Sequence, residues 1–170
     1  MKNTLTLFLL TLTLSFLSCK KSATEPAPNY IMTFKKNGIS DTLITYYSSI
    51  QPASDPAKTD LYISARSKDF KNQIAFSIRR PGNFTTGTYE NNNPDFYVIA
   101  DYFQNLGEPN ERDYTIDHDP AQPNCYFKIV ITTITDNLIS GTFTGNYLFD
   151  THYDESITIT DGAFTVKRHH

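Results

Sequence analysis

The chain has 170 residues, a formal net charge of −3, 14% aromatic residues with no Trp, and two Cys, at positions 19 and 125. That length fits one ordinary domain behind a short leader, and the charge gives no electrostatic case for a nucleic-acid partner. Two widely separated Cys are no disulfide framework, so a hydrophobic core must hold the fold.

At the amino terminus, Lys2 precedes an apolar run from about Leu5 to Leu17 that only Thr and Ser interrupt. It is shorter than the roughly 20 residues a spanning helix needs, and it suits the apolar region of a secretory signal. The small Ser18 stands before Cys19, and "FLSC" resembles the lipobox of bacterial lipoproteins, although Phe16 occupies the position where that pattern usually has Leu. The resemblance implies that residues 1–18 are a signal peptide and that Cys19 is lipidated, leaving Cys125 alone. An ordinary cleaved signal or a first strand is the competing reading. Two or more acyl chains, such as palmitate, anchor a protein stably where one does not. The polar, Pro-containing "KKSATEPAPN" then makes residues 19–29 a lipid-anchored tether, with a mean reach of roughly 17 Å as a flexible coil. Lys20 and Lys21 lack the acidic neighbours of a surface-export signal, so the expected address is the outer membrane, facing the periplasm.

From Tyr30 the dominant signal is period-two alternation, which marks half-buried strands. "YIMTFKK" puts Tyr30, Met32 and Phe34 on one side. Asn37-Gly38 predicts a hairpin turn, because a type I′ turn needs positive φ at both central residues. "ISDTLITYYSSI" returns, and "QPASDPAKTD" reads as a loop. "LYISARS" and "QIAFSIRR" place Leu61, Ile63, Ala65, Ile74, Phe76 and Ile78 inward, with Tyr62, Ser64, Arg66 and Arg79 outward. "NFTTGTYENNNPD" reads as a polar loop. "FYVIADYF" is a strand without an assignable inner face, and a long polar stretch follows with a short strand at Tyr114–Ile116. "CYFKIVITTIT" alternates Cys125, Phe127, Ile129 and Ile131 against Tyr126, Lys128, Val130 and Thr132. "LISGTFTGNYLF" carries Ile139, Phe143, Tyr147 and Phe149 in phase, and "SITITDGAFTVK" ends the pattern. With about nine short strands and no helical periodicity, residues 30–167 are predicted to form a single all-β domain, an antiparallel sandwich or barrel.

"MTFKKNGIS" after the tether and "ISGTFTGNYLF…ITITDGAFTV" near the end resemble the opening and closing strand pairs of small Bacteroidota lipoproteins of domain-of-unknown-function type. That resemblance implies an all-β fold and brings no catalytic residue, cofactor or metal with it. In the same phylum, Asp41-Thr42-Leu43 fits a short O-glycosylation motif at Thr42.

Candidate chemistry is sparse. The chain has four His (118, 152, 169 and 170) and no G-x-S-x-G, H-E-x-x-H or glycine-rich phosphate loop, so no enzyme is expected. Glu108, Glu111, Asp113, Asp117 and Asp119 offer hard oxygen ligands of the kind Ca²⁺ takes, but without EF-hand spacing; a solvated acidic loop is the favoured reading. Aromatic doublets recur at 46–47, 96–97, 102–103 and 126–127, and adjacent strand residues face opposite ways. Outward Tyr62 and Tyr126 are therefore the candidate binding residues, for a protein or glycan ligand, and the absence of Trp counts against a sugar platform. The expected role is non-catalytic binding or an envelope function. A secreted hydrolase with an unrecognised site, or a purely structural envelope component, is the alternative. A closed cleft with convergent polar groups would favour the hydrolase, and an exposed aromatic patch the binding module.

Overall fold

The computed structural model describes residues 30–116, 125–150 and 152–169, apart from the side chain of Tyr147. The expected signal peptide, Cys19 and the tether lie outside the described residues, as do Asp117, His118, Asp119 and His170.

Among the described residues ten strands follow one another: β1 (Ile31–Lys36), β2 (Ile39–Pro52), β3 (Lys58–Arg66), β4 (Gln73–Pro81), β5 (Gly87–Glu90), β6 (Tyr97–Gln104), β7 (Arg112–Ile116), β8 (Tyr126–Ile134), β9 (Leu138–Asp150) and β10 (Glu155–Lys167). They form one antiparallel sheet in the order β10-β1-β2-β3-β4-β6-β7-β9-β8-β5, and the pairing of β10 with β9 closes it into a ring. Two positions in the wall are shared. β8 and β7 lie end to end on the same edge of β9, β8 along residues 139–146 and β7 where Thr115 meets Phe149. On their far side β5 pairs with β8, and β6 pairs with β7. Ten strands thus make an eight-stave, up-and-down barrel, a size whose interior side chains can just fill.

They do fill it. Phe143 sits at the centre, with ring centroids 5.4 Å from Phe76, 6.1 Å from both Phe34 and Phe127, and 6.3 Å from Phe164. Around these rings the inward positions of the alternating strands are all buried, including Leu61, Ile63 and Ala65 of β3 and Ile74, Phe76 and Ile78 of β4. The unassigned inner face of β6 is Val98, Ala100 and Tyr102. Two glycines make room for the rings. A Cβ at Gly141 would lie 2.1 Å from the Val130 carbonyl oxygen, and one at Gly162 would lie 2.4 Å from that of Phe143.

The β1–β2 turn has positive φ at both Asn37 (49°) and Gly38 (81°), as the hairpin signal requires. Three expectations change. The polar loop at 83–95 contains β5, whose four residues carry one buried ring, Tyr89, too short a pattern to read as alternation. Of the stretch read as loop, Gln51 and Pro52 extend β2, and Lys58, Thr59 and Asp60 extend β3. In β9 the register passes from Gly145 opposite Ile159 to Leu148 opposite Ile157. Three residues of β9 therefore span two of β10, and this bulge reverses the side-chain phase. Leu148 enters the core, and Phe149, expected on the inner face, is only half-buried.

Candidate functional site

A β-bulge in β2 builds the most distinctive outer surface. Thr45 faces Ala65 and Tyr47 faces Ser64, so Tyr46 is the extra residue between them. In a regular strand Tyr46 and Tyr47 would point to opposite faces. The bulge keeps both rings off the core: Tyr46 is 60% exposed, while Tyr47 is half-buried against outward neighbours. The expectation that every aromatic doublet sends one ring inward fails here for that reason. It holds for Tyr102-Phe103 and Tyr126-Phe127, whose Tyr102 and Phe127 are buried.

Around the bulge an aromatic wall assembles. Tyr47 lies 6.0 Å from Tyr62 of β3, and on its other side it stacks on His169 at 5.5 Å with planes 14° apart. His169 is held there by its backbone, whose N–H donates to the Ser48 carbonyl at 3.1 Å. The Arg66 guanidinium sits 4.9 Å from the Tyr46 ring centroid, a cation–π distance, and its Nε donates to Gln73 at 2.7 Å. Ser64, opposite Tyr47 in the ladder, points outward yet is only 3% exposed. Large rigid rings with a fixed guanidinium are the side chains that carry binding energy at protein interfaces.

The structure thus joins Tyr62, expected from sequence, to the Tyr46-Tyr47 doublet and to Arg66 and His169, which alternation does not mark as binding residues. The Tyr-Tyr doublet was visible, but the bulge is a matter of register, and His169 comes from the far end of the chain. Tyr126 is not part of this wall. It is half-buried on β8, and its hydroxyl donates to Glu90 at 3.0 Å. Burial, and then that carboxylate, push its hydroxyl pKa above the usual value.

A second polar group lies at the barrel end that carries the β1–β2, β3–β4 and β6–β7 connections. Lys36 Nζ donates to Gln104 at 2.5 Å and lies 5.1 Å above the Tyr102 ring. Burial lowers the Lys36 pKa and raises that of Tyr102. Nearby, the Tyr114 hydroxyl donates to Glu155 at 3.1 Å, and Arg112 lies over the Tyr153 ring at 3.3 Å. These contacts pair the polar groups at that end of the barrel. Of the expected acidic loop, Glu108 pairs with Lys71 at 2.8 Å, and Glu111 accepts the Gly107 N–H at 2.6 Å. Among the described residues no three His, Cys, Asp or Glu converge on a metal position. Thr42 is exposed on β2, and its N–H donates to Asp41 at 2.7 Å. Cys125 is half-buried and packs against the core.

Fold and wall together define a closed antiparallel barrel, filled by its own side chains, whose distinctive chemistry faces outward. Comparison with family models, curated proteins and solved structures gave no match.

Proposed function

We propose that the chain is a lipoprotein of the bacterial cell envelope, anchored through Cys19 in the outer membrane and facing the periplasm, whose barrel is a non-catalytic binding module for a protein partner. The observation that carries the binding reading is the outward wall of Tyr46, Tyr47, Tyr62, Arg66 and His169 on a barrel whose interior is already occupied by rings. A filled eight-stave barrel has no room to take a ligand as a hollow one does, so recognition falls to the outside. Tyr and Arg without Trp fit a protein contact better than a sugar platform. The anchor reading rests on the lipobox-like "FLSC" and on the polar stretch between Cys19 and the first strand.

Mass spectrometry of the mature amino terminus tests the anchor: a diacylated or triacylated Cys19 is expected, and an unmodified Cys19 or an intact Met1 sinks it. Crosslinking in intact envelopes, with a photoreactive residue in place of Tyr62, tests the binding role. A discrete adduct that disappears when Tyr46→Ser is added supports it, and no adduct above that of a position on β8 overturns it.

A further inference from the structure

The described domain begins at one side of the aromatic wall, and the surface around that point is apolar. The Tyr30 carbonyl accepts the Thr45 N–H at 3.1 Å, so the chain enters the barrel wall beside the β2 bulge. The next residue, Ile31, lies opposite Ile44, and Ile44 lies opposite Arg66. All three face outward, because Met32, Leu43 and Ala65 beside them face the core. Ile44 is 47% exposed. With Thr42, Ser67, Lys68 and Asp69, the two isoleucines line a shallow groove of about 630 Å³.

The β3–β4 loop forms the far bank of this groove and holds Phe70 out to solvent. Phe70 is 57% exposed and adopts a left-handed backbone (φ 61°), which a bulky residue rarely takes. The loop is fastened on every side. Ser67 N–H donates to the Asn72 carbonyl at 2.9 Å, Asn72 N–H donates to Ser67 Oγ at 2.9 Å, and Asp69 accepts from both Ser67 Oγ (2.5 Å) and Lys71 N–H (3.2 Å). A rigid, strained turn that exposes a phenylalanine points to a contact made by that ring.

We infer that this face rests on a lipid bilayer, with Phe70, Ile44 and Ile31 entering the interfacial region, Lys68 and Lys71 at headgroup level, and Arg66 at the boundary with the aromatic wall. The inference rests on the lipoprotein reading. Ten residues, Lys20 to Asn29, separate Cys19 from Tyr30, and the reach expected from their polar, Pro-containing sequence, roughly 17 Å as a flexible coil, would keep the entry point near the anchor. Whatever surface surrounds Tyr30 meets the membrane at high effective concentration, and weak interfacial affinity is then enough to orient the barrel. Exposed apolar and aromatic side chains with interleaved cations are what such a surface requires. Three cations here face two carboxylates, Asp69 and Glu108, so the apolar groups carry the contact and salt weakens it little. Tyr62 lies four residues back along β3 from Arg66, roughly 13 Å at the strand rise, which leaves the lower part of the aromatic wall clear of the headgroups.

The chain has no Trp, so one introduced indole reports on its own position. Mature acylated protein carrying Phe70→Trp is reconstituted into phosphatidylethanolamine/phosphatidylglycerol vesicles that contain brominated lipid. A second protein carries Tyr97→Trp, at the opposite end of the barrel from the β3–β4 loop. Both are expected to float with the vesicles, with position 70 quenched several-fold more strongly than position 97, in low and high salt alike. If both float and the two positions are equally quenched, the face is wrong while the anchor stands. If position 70 becomes shielded only when an envelope protein extract is added, the occupant is a protein and the membrane assignment falls. If neither floats, the lipoprotein reading fails and takes this inference with it.

Discussion

Tyr47 stacks on His169 at 5.5 Å with ring planes 14° apart, so the carboxy-terminal end of the described chain completes a wall that begins at a bulge in the second strand. Tyr47→Ala should therefore cost stability, by about 1–2 kcal/mol, through the loss of two ring contacts. Tyr46→Ser should stay within about 0.5 kcal/mol, since that ring is mostly in water. Urea denaturation of the two variants separates them, and equal losses would mean that the bulge does not divide the doublet as described.

Phe143 touches four other phenylalanine rings at the centre of the barrel. Phe143→Ala should lower the unfolding free energy by about 3–5 kcal/mol, since the surrounding staves are closed and cannot collapse into the void. Phe143→Leu should recover a large part of it. Thermal and urea unfolding of both variants measure this directly.

Gly141 and Gly162 have backbone carbonyls where a Cβ would stand, at 2.1 Å and 2.4 Å. Carbonyl groups inside a ladder cannot move aside as a flexible side chain can. Gly141→Ala and Gly162→Ala should each destabilise by about 1–3 kcal/mol or more through overpacking, despite the gain in strand propensity. A neutral Gly141→Ala variant by denaturant titration would contradict the close approach of β8 to β9.

Alkaline stability should fall for a reason traceable to two hydroxyls. Burial raises the pKa of Tyr102 well above its ordinary value of 10.0, and burial together with Glu155 raises that of Tyr114. Above about pH 10 the unfolded chain releases these protons while the folded chain keeps them, so the unfolded state binds fewer protons and stability drops as pH rises. Below pH 10 both states are protonated and the two groups contribute no slope. Tyr102→Phe, which keeps the ring packed on Phe34 at 6.0 Å, should flatten the decline above pH 10 and leave neutral stability nearly unchanged. Urea midpoints between pH 7 and 11 test both halves of this statement.

Asp113 works in the opposite range. Burial is the main cause that raises its carboxyl pKa, with Asp150 and Glu111 adding repulsion. The folded protein then binds the proton more tightly than the unfolded one, so Asp113 favours the fold at acid pH and its contribution is lost as pH rises past the ordinary carboxylate value. Asp113→Asn should raise the melting temperature at pH 7 relative to wild type and narrow the difference near pH 4. A lower melting temperature for the variant at pH 7 would show that the ionised carboxylate is favourable in its place and overturn this reading.

Much of the barrel was legible because alternation is local. Leu61-Ile63-Ala65 and Ile74-Phe76-Ile78 lie inward as their spacing demands, and Asn37-Gly38 turns as its positive φ values demand. β5 was missed because one buried ring in four residues is no pattern. The Tyr46-Tyr47 and Leu148 departures share a different cause. A bulge arises when two strands of unequal residue count must stay paired, and neither strand carries that mismatch alone.

The amino-acid order by itself determined strand character, the approximate strand ends and the all-β class, since each depends on side chains a few residues apart. Only the tertiary structure decided that ten strands close into eight staves, that Phe143 gathers four rings, and that Tyr62, Tyr47 and His169 meet on one wall. Those relations join positions up to 122 residues apart (169 − 47), and closure of the ring by β10 against both β1 and β9 is what brings them together.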